Sequence, residues 1–250
     1  MFPIRDHNPS GRTPLVTYVL IAVNIAVFLG YWLTITNDYD LALFFNRWGL
    51  VPVAVTAGYQ TETVVTSMFL HGGWMHLAGN MLFLWIFGDN MEDEMGHLRF
   101  ALFYLSVGLA AAFLQTAADP GSQIPMVGAS GAIAGVMGGY LLLFPRARVD
   151  VLFIFVIFFR IFAIPAWIVL GVWIGLQLLN GSVTPTDQGG VAYLAHVGGF
   201  VGGLVLTVPL WLRRGGLAFW QRTAGHPAHP DAHYKLARSS VPRVPRVPRR

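Results

Sequence analysis

The sequence predicts an all-α polytopic membrane protein with six spans and both termini cytoplasmic. Three observations carry this. Of 250 residues, 55% are hydrophobic and 11% charged. A soluble domain carries about 25% charged residues, so this chain cannot cover its surface for water, and the same scarcity excludes disorder over most of its length. Apolar stretches near the roughly 20 residues that cross a bilayer recur along the chain. When six spans are drawn, the basic residues fall on one side. Arg5, Arg12, Arg99, Arg146, Arg148, Arg160, Arg213, Arg214 and the basic residues beyond are inside, and Arg47 alone is outside. That is the positive-inside pattern. An odd number of spans would separate the Arg146/Arg148 loop from Arg213/Arg214.

The first span is expected at 15–35. It follows Arg5 and Arg12 as a signal peptide would. Its apolar run exceeds an h-region of about 7–15 residues and no small-x-small site closes it, so it reads as an uncleaved span. The outer loop 36–73 holds Trp48, Leu50, Val51, Val53, Val55 and Tyr59. A loop this long usually has structure or function of its own, and short amphipathic pieces at the interface are expected. The second, third and fourth spans are expected at 74–88, 100–117 and 127–144. The stretch 151–179 is too long for one untilted span, and Arg160 and Pro165 interrupt it. Residues 151–163 therefore read as an interfacial or re-entrant piece and 165–179 as the fifth span. The sixth covers 191–212. The chain divides into a cytoplasmic segment 1–13, a six-helix domain 14–212 and a basic Pro/Arg-rich tail 213–250. That tail ends in a Val-Pro-Arg repeat and is expected to be disordered. The chain has no Cys, which excludes disulfides, Cys-ligated metals and thiol nucleophiles.

In a membrane protein each polar residue at depth is costly unless paired or facing a cavity, so each is a functional candidate. Here depth is read as carrying His, Asn and Ser only. His76 and Asn80 are spaced i, i+4 on one face of the second span, and His71 sits just before it. They could simply tie the loop to the backbone. An intramembrane zinc protease would need HExxH, but Leu77 follows His76 and no acid is near, so no metal is expected. Gly128-Ala-Ser130-Gly131 opens the fourth span. There the N–H groups of a helix N-terminus favour developing negative charge, although Ser, Gly and Ala also serve plain helix packing in membranes. The sixth span carries Ala195-His196-Val-Gly-Gly199, with Gly203 four residues on. Packing Gly199 and Gly203 against Gly131 and Gly135 would carry Ser130 Oγ towards a nitrogen of His196. A Ser–His pair in hydrogen-bond reach is an activated nucleophile. All twelve carboxylates lie in loops, helix ends or the tail, which leaves a dyad rather than a triad. The same census opposes an aspartyl protease, since Ile86 occupies the first Gly position of a GxGD motif ending at Asp89.

This constellation resembles the rhomboid family of intramembrane serine proteases. Its HxxxxHxxxN, GxSG and AHxxGxxxG patterns stand in order as His71/His76/Asn80, Gly128–Gly131 and Ala195–Gly203, and Glu92 with Gly96 fits the family's acidic residue. The resemblance implies a six-helix bundle in which Ser130 is the nucleophile and His196 the base. It implies an oxyanion hole of His76, Asn80 and the Ser130 N–H, with His71, Gly128, Gly131, Gly199 and Gly203 shaping the site. It further implies a serine endopeptidase without cofactor or metal, acting on single-span or multi-span membrane proteins in the lipid bilayer, with no nucleic acid. Two positions depart. Glu62-Thr63-Val64 stands where members often have Trp-Arg, and Ala134 stands where some stack a Tyr on the catalytic His. Other classes compete. A catalytically inactive rhomboid-like protein that binds membrane clients usually lacks Ser or His. A transporter would more often show charged residues in several spans or paired broken helices. A short basic N-terminus with no transit peptide favours a bacterial inner membrane.

Overall fold

The computed structural model describes residues 2–155, 158–183 and 190–226. The elements run β1 (Phe2–Asp6), α1 (Leu15–Trp32), α2 (Asp38–Trp48), α3 (Pro52–Thr56), α4 (Thr63–Thr66), a 3₁₀ turn (Ser67–Phe69), α5 (Trp74–Met95) and α6 (His97–Ala118). They continue with α7 (Ser130–Leu143), β2 (Arg148–Phe155), β3 (Phe158–Pro165), α8 (Ala166–Val183), α9 (Tyr193–Arg213) and α10 (Leu217–Thr223). Among the described residues four helices, α1, α6, α8 and α9, are long and apolar enough to cross a membrane, and α7 is a shorter apolar helix of 14 residues. The chain is a multi-pass integral membrane protein.

α7 is the centre of the bundle, with α5, α6, α8 and α9 around it. Its sequence explains the position: Gly, Ala and Ser fill its first turns, so neighbours can approach its backbone. A methyl on Gly199 would strike the carbonyl oxygen of Gly131, and one on Gly203 the carbonyl of Gly135. The α-carbons of Gly131 and Gly135 themselves face Ala111 and Val107 of α6. The small-residue faces of α7 and α9 therefore meet as expected, with α7 offering carbonyls to α9 and its α-hydrogens to α6. Close approach of this kind is the ordinary basis of helix association in lipid.

α1 starts at Thr13-Pro14 and is capped from a distance. Glu92 of α5, 1% exposed, accepts the Val16 and Thr17 backbone N–H groups and the Thr17 hydroxyl, each at 2.8 Å. These are first-turn donors without intrahelical partners, and a carboxylate suits the positive end of the helix.

Two expectations need correction. The protein is not all-α: β1, β2 and β3 form an antiparallel sheet in that order. The stretch 148–165 is rich in Val, Ile and Phe, which favour strands, and an apolar run cannot be assigned to helix or strand by periodicity alone. The chain start supplies the third strand. Asp150 holds it through Arg5 at 2.6 Å and His7 at 2.8 Å. The second correction concerns the tail. Residues 213–226 are structured: α10 buries Phe219, and Trp220 Nε1 donates to the Leu142 carbonyl at 3.0 Å. Aromatic anchors inside a basic segment outweigh its composition there. The Val-Pro-Arg repeat lies outside the described residues.

Asp6 ends β1 and is buried against the C-terminal end of α7, where the Tyr140 hydroxyl donates to Oδ2 at 2.7 Å. Burial pushes its pKa from the usual 3.8 up to about 8, despite that hydrogen bond. The folded state therefore holds a proton that the unfolded chain releases near 3.8, and stability falls as pH rises between about 4 and 8. Asp6→Asn, close in shape to the protonated acid, is expected to leave stability near pH 4 unchanged and to raise it at pH 8. Thermal unfolding at both pH values checks this; an unaltered pH slope in the variant would count against it.

Candidate active site

The first loop and α5 build one wall of the site. The loop is pinned by the bridge between Leu50 and Met126, by Thr66 Oγ1 donating to the Trp48 carbonyl at 2.7 Å, and by Arg47, which bonds Glu62 at 2.9 Å and lies over the Trp48 ring. These contacts stand where a Trp-Arg pair was absent from the sequence. His71 is fully buried. Its main chain is clamped by the Tyr31 hydroxyl of α1, which donates to the His71 carbonyl at 2.6 Å and accepts from its N–H at 2.8 Å. Burial, with the neighbouring His76 second, lowers the His71 pKa to about 4, so its ring is neutral at pH 7. That ring meets His76 edge-on at 5.1 Å.

His76 accepts the Gly72 N–H at Nδ1, 3.3 Å away. That bond puts the His76 proton on Nε2, the nitrogen next to Gly128. One turn further along α5, Asn80 is 8% exposed and its amide nitrogen has no hydrogen-bond acceptor. Gly128 has φ +133°, and a Cβ there would lie 2.8 Å from His76 Nε2 and 3.5 Å from Ser130 Oγ. Both the backbone and the space require glycine. Its N–H donates to the Ser67 carbonyl at 2.9 Å, which fixes the turn into α7.

Ser130 is the first residue of α7, so its N–H is among those a helix leaves unpaired. Its hydroxyl lies 2.8 Å from His196 Nε2. On the other side of the ring, His196 Nδ1 is 2.8 Å from Gln177 Oε1 of α8. The Gln177 oxygen can only accept, so Nδ1 carries the proton and Nε2 accepts from Ser130. Trp173, one turn before Gln177, stands 5.6 Å from the His196 ring, tilted by 35° to it. The Ala195 N–H donates to Gln115 Oε1 of α6 at 3.1 Å, which secures the start of α9. Ser130, His196, His76, Asn80, Gln177 and Trp173 all line one cavity of about 960 Å³.

Of the residues singled out from the sequence, Ser130, His196, His76, Asn80, Gly128 and Gly131 line this cavity, His71 packs on His76, and Gly199 and Gly203 lie in the contact of α9 with α7, whereas Glu92 is away from it, at the start of α1. The reading that depth carries only His, Asn and Ser was incomplete: it passed over Gln177. The signal was available, an amide inside an otherwise apolar run of the fifth span. Trp173 carried no such signal, because a Trp in a spanning helix is ordinary. Among the described residues, no group of three or more His, Asp or Glu is placed to hold a metal ion.

The family model described as Rhomboid domain matches residues 59–213. The chain is 32% identical over 213 residues to Rhomboid protease GluP of Bacillus subtilis, covering 84% of this chain and 37% of that protein. It is 28% identical over 199 residues to mitochondrial Rhomboid protein 1 of Saccharomyces cerevisiae, covering 76% of this chain and 51% of that one. It is 34% identical over 165 residues to RHOMBOID-like protein 4 of Arabidopsis thaliana, covering 66% and 38%. The chain spans about half or less of the length of these relatives.

Proposed function

This chain belongs to the rhomboid family, and on that premise we propose that it is an intramembrane serine endopeptidase cleaving membrane-protein substrates within or near the bilayer. The observation that carries the reading is the Ser130–His196 hydrogen bond inside a cavity large enough for an extended peptide. His196 Nε2 takes the Ser130 proton as Oγ attacks a peptide carbonyl, and returns it to the leaving amine. The tetrahedral oxyanion is held by His76 Nε2–H, the Asn80 amide and the Ser130 N–H. Each such donor contributes on the order of 10²–10³ in rate. Water entering the cavity then hydrolyses the acyl-enzyme ester and restores Ser130.

Six spans with both termini cytoplasmic complete the reading. α5 and α7 join α1, α6, α8 and α9 as spans. α7 is roughly 20 Å long at about 1.5 Å per residue, so with Leu143 at the inner surface Ser130 lies below the outer one. The hairpin of β2 and β3 joins the inner ends of α7 and α8. Its edge strand β3 has backbone groups without a sheet partner on one side, which hydrocarbon does not tolerate. The hairpin therefore lies at headgroup level, with exposed Phe159, Ile161 and Phe162 directed into the interface. Similarity to a bacterial relative over 84% of the chain supports a bacterial cell membrane, although the mitochondrial relative shows that related chains serve elsewhere.

The test is reconstitution with a labelled single-span substrate in liposomes. A cut within the span or its immediate flank, located by mass spectrometry of both products, is expected. Cuts confined to soluble flanking sequence would contradict intramembrane cleavage. An inactive client-binding protein would give a stable complex and no product.

A further inference from the structure

Among the described residues the Ser–His pair has no acid behind it, yet the second nitrogen of His196 is not idle. Its Nδ1 is 2.8 Å from Gln177 Oε1, and Trp173 from the same face of α8 lies beside the ring. We infer that Gln177 is the positioning residue for the catalytic histidine: its side-chain oxygen accepts the Nδ1–H bond and so completes a Ser130–His196–Gln177 relay whose third member is uncharged. This inference rests on the protease reading above.

First, an imidazole is a base towards Ser130 only in the tautomer with Nδ1 protonated, and that tautomer is chosen by whatever Nδ1 donates to. Among the described residues no other side chain bonds Nδ1. Second, imidazolium forms as Ser130 is deprotonated, and its Nδ1–H bond to an aligned amide dipole then becomes charge-assisted and stronger. Help that grows towards the transition state raises kcat rather than binding. Third, a carboxylate in this place would be a charge taken out of water, with a cost of several kcal/mol unless paired. An amide supplies the acceptor without that cost. His196 is 8% exposed. The groups facing it are Ser130 from α7, Gln177 and Trp173 from α8, Gln115 near its helix start on α6, and His76 from α5. His76 is the titratable one among these.

The experiment measures kcat, KM and the pH profile of kcat/KM for wild type, Gln177→Met, Gln177→Asn and Gln177→Glu in liposomes. Gln177→Met keeps length and loses the acceptor. It is expected to lower kcat by about 10–100-fold, as loss of a residue supporting a reactive group does, with KM within about threefold. Gln177→Asn is one methylene too short and should resemble it. Gln177→Glu should retain activity but shift the acid limb upward by about one pH unit or more. The carboxylate stabilises imidazolium, so the base form of His196 is reached only at higher pH. A merely structural role does not move that limb. Gln177→Met at the wild-type rate, or a Gln177→Glu limb that coincides with wild type, overturns the inference. If Gln177→Met fails to fold, as judged by its thermal unfolding, the Gln177→Glu profile decides alone. Failure of the protease reading looks different: wild type itself would then show no cleavage that depends on Ser130.

Discussion

Gly203→Ala is expected to destabilise the bundle by about 2–3 kcal/mol, near the upper end of overpacking costs, and to lower the thermal midpoint by roughly 4–12 °C. The added methyl meets the Gly135 carbonyl oxygen, which belongs to a helix backbone and cannot rotate away. Relief requires α9 to move off α7. Gly199→Ala should behave alike through the Gly131 carbonyl, and it should also cost activity, since separating those helices draws His196 away from Ser130. Gly175→Ala is the control. It lies on α8, where a Cβ meets nothing within 4 Å, and alanine has the better helix propensity, so no loss is expected. Thermal unfolding of the purified variants measures all three. Equal midpoints for Gly203→Ala and Gly175→Ala would show that α7 and α9 do not approach as closely as described.

That contact also shows what was legible in the sequence. Small residues spaced by four on two apolar segments indicate a close helix pair, and they predicted that Ser130 and His196 approach each other. The loop 36–73 was expected to hold short amphipathic pieces at the interface, and the short helices α2, α3 and α4 lie in it. The strands were not legible. Val149 to Phe155 satisfies an apolar helix as well as a strand, and it is the pairing with β3, and with Phe2–Asp6 across nearly 150 residues of sequence, that decides between them. The same holds for Glu92. Its spacing suggested a family acid but not its work, because the Val16 and Thr17 amides it caps come from a distant helix. α10 was hidden by composition, since Arg and Gly surround Phe219 and Trp220. Gln177 was visible as a polar group at depth, but its partner was not.

The largest effect on activity is expected from the dyad. Ser130→Ala and His196→Ala should each lower cleavage of the reconstituted substrate by on the order of 10⁴-fold or more, and the double variant should be no slower than either. Residues that act as one unit are grossly non-additive. Ser130→Ala removes the nucleophile. His196→Ala leaves a hydroxyl with no base to accept its proton, and among the described residues no carboxylate lines the cavity to substitute. Asn80→Ala should cost less, about 10²–10³, because two oxyanion donors remain. Multiplicative losses in the double variant would mean that the two side chains act in separate steps, against the 2.8 Å contact.

The most direct test of the Ser130–His196 mechanism is covalent. A fluorophosphonate, which phosphonylates only an activated serine, should label the protein in lipid discs at one site. Mass spectrometry should find the adduct on the peptide containing Ser130. Ser130→Ala should abolish it, and His196→Ala should slow it strongly while thermal unfolding shows an intact fold. Labelling that persists in Ser130→Ala, or an adduct on another serine with Ser130 unmodified, would contradict the mechanism.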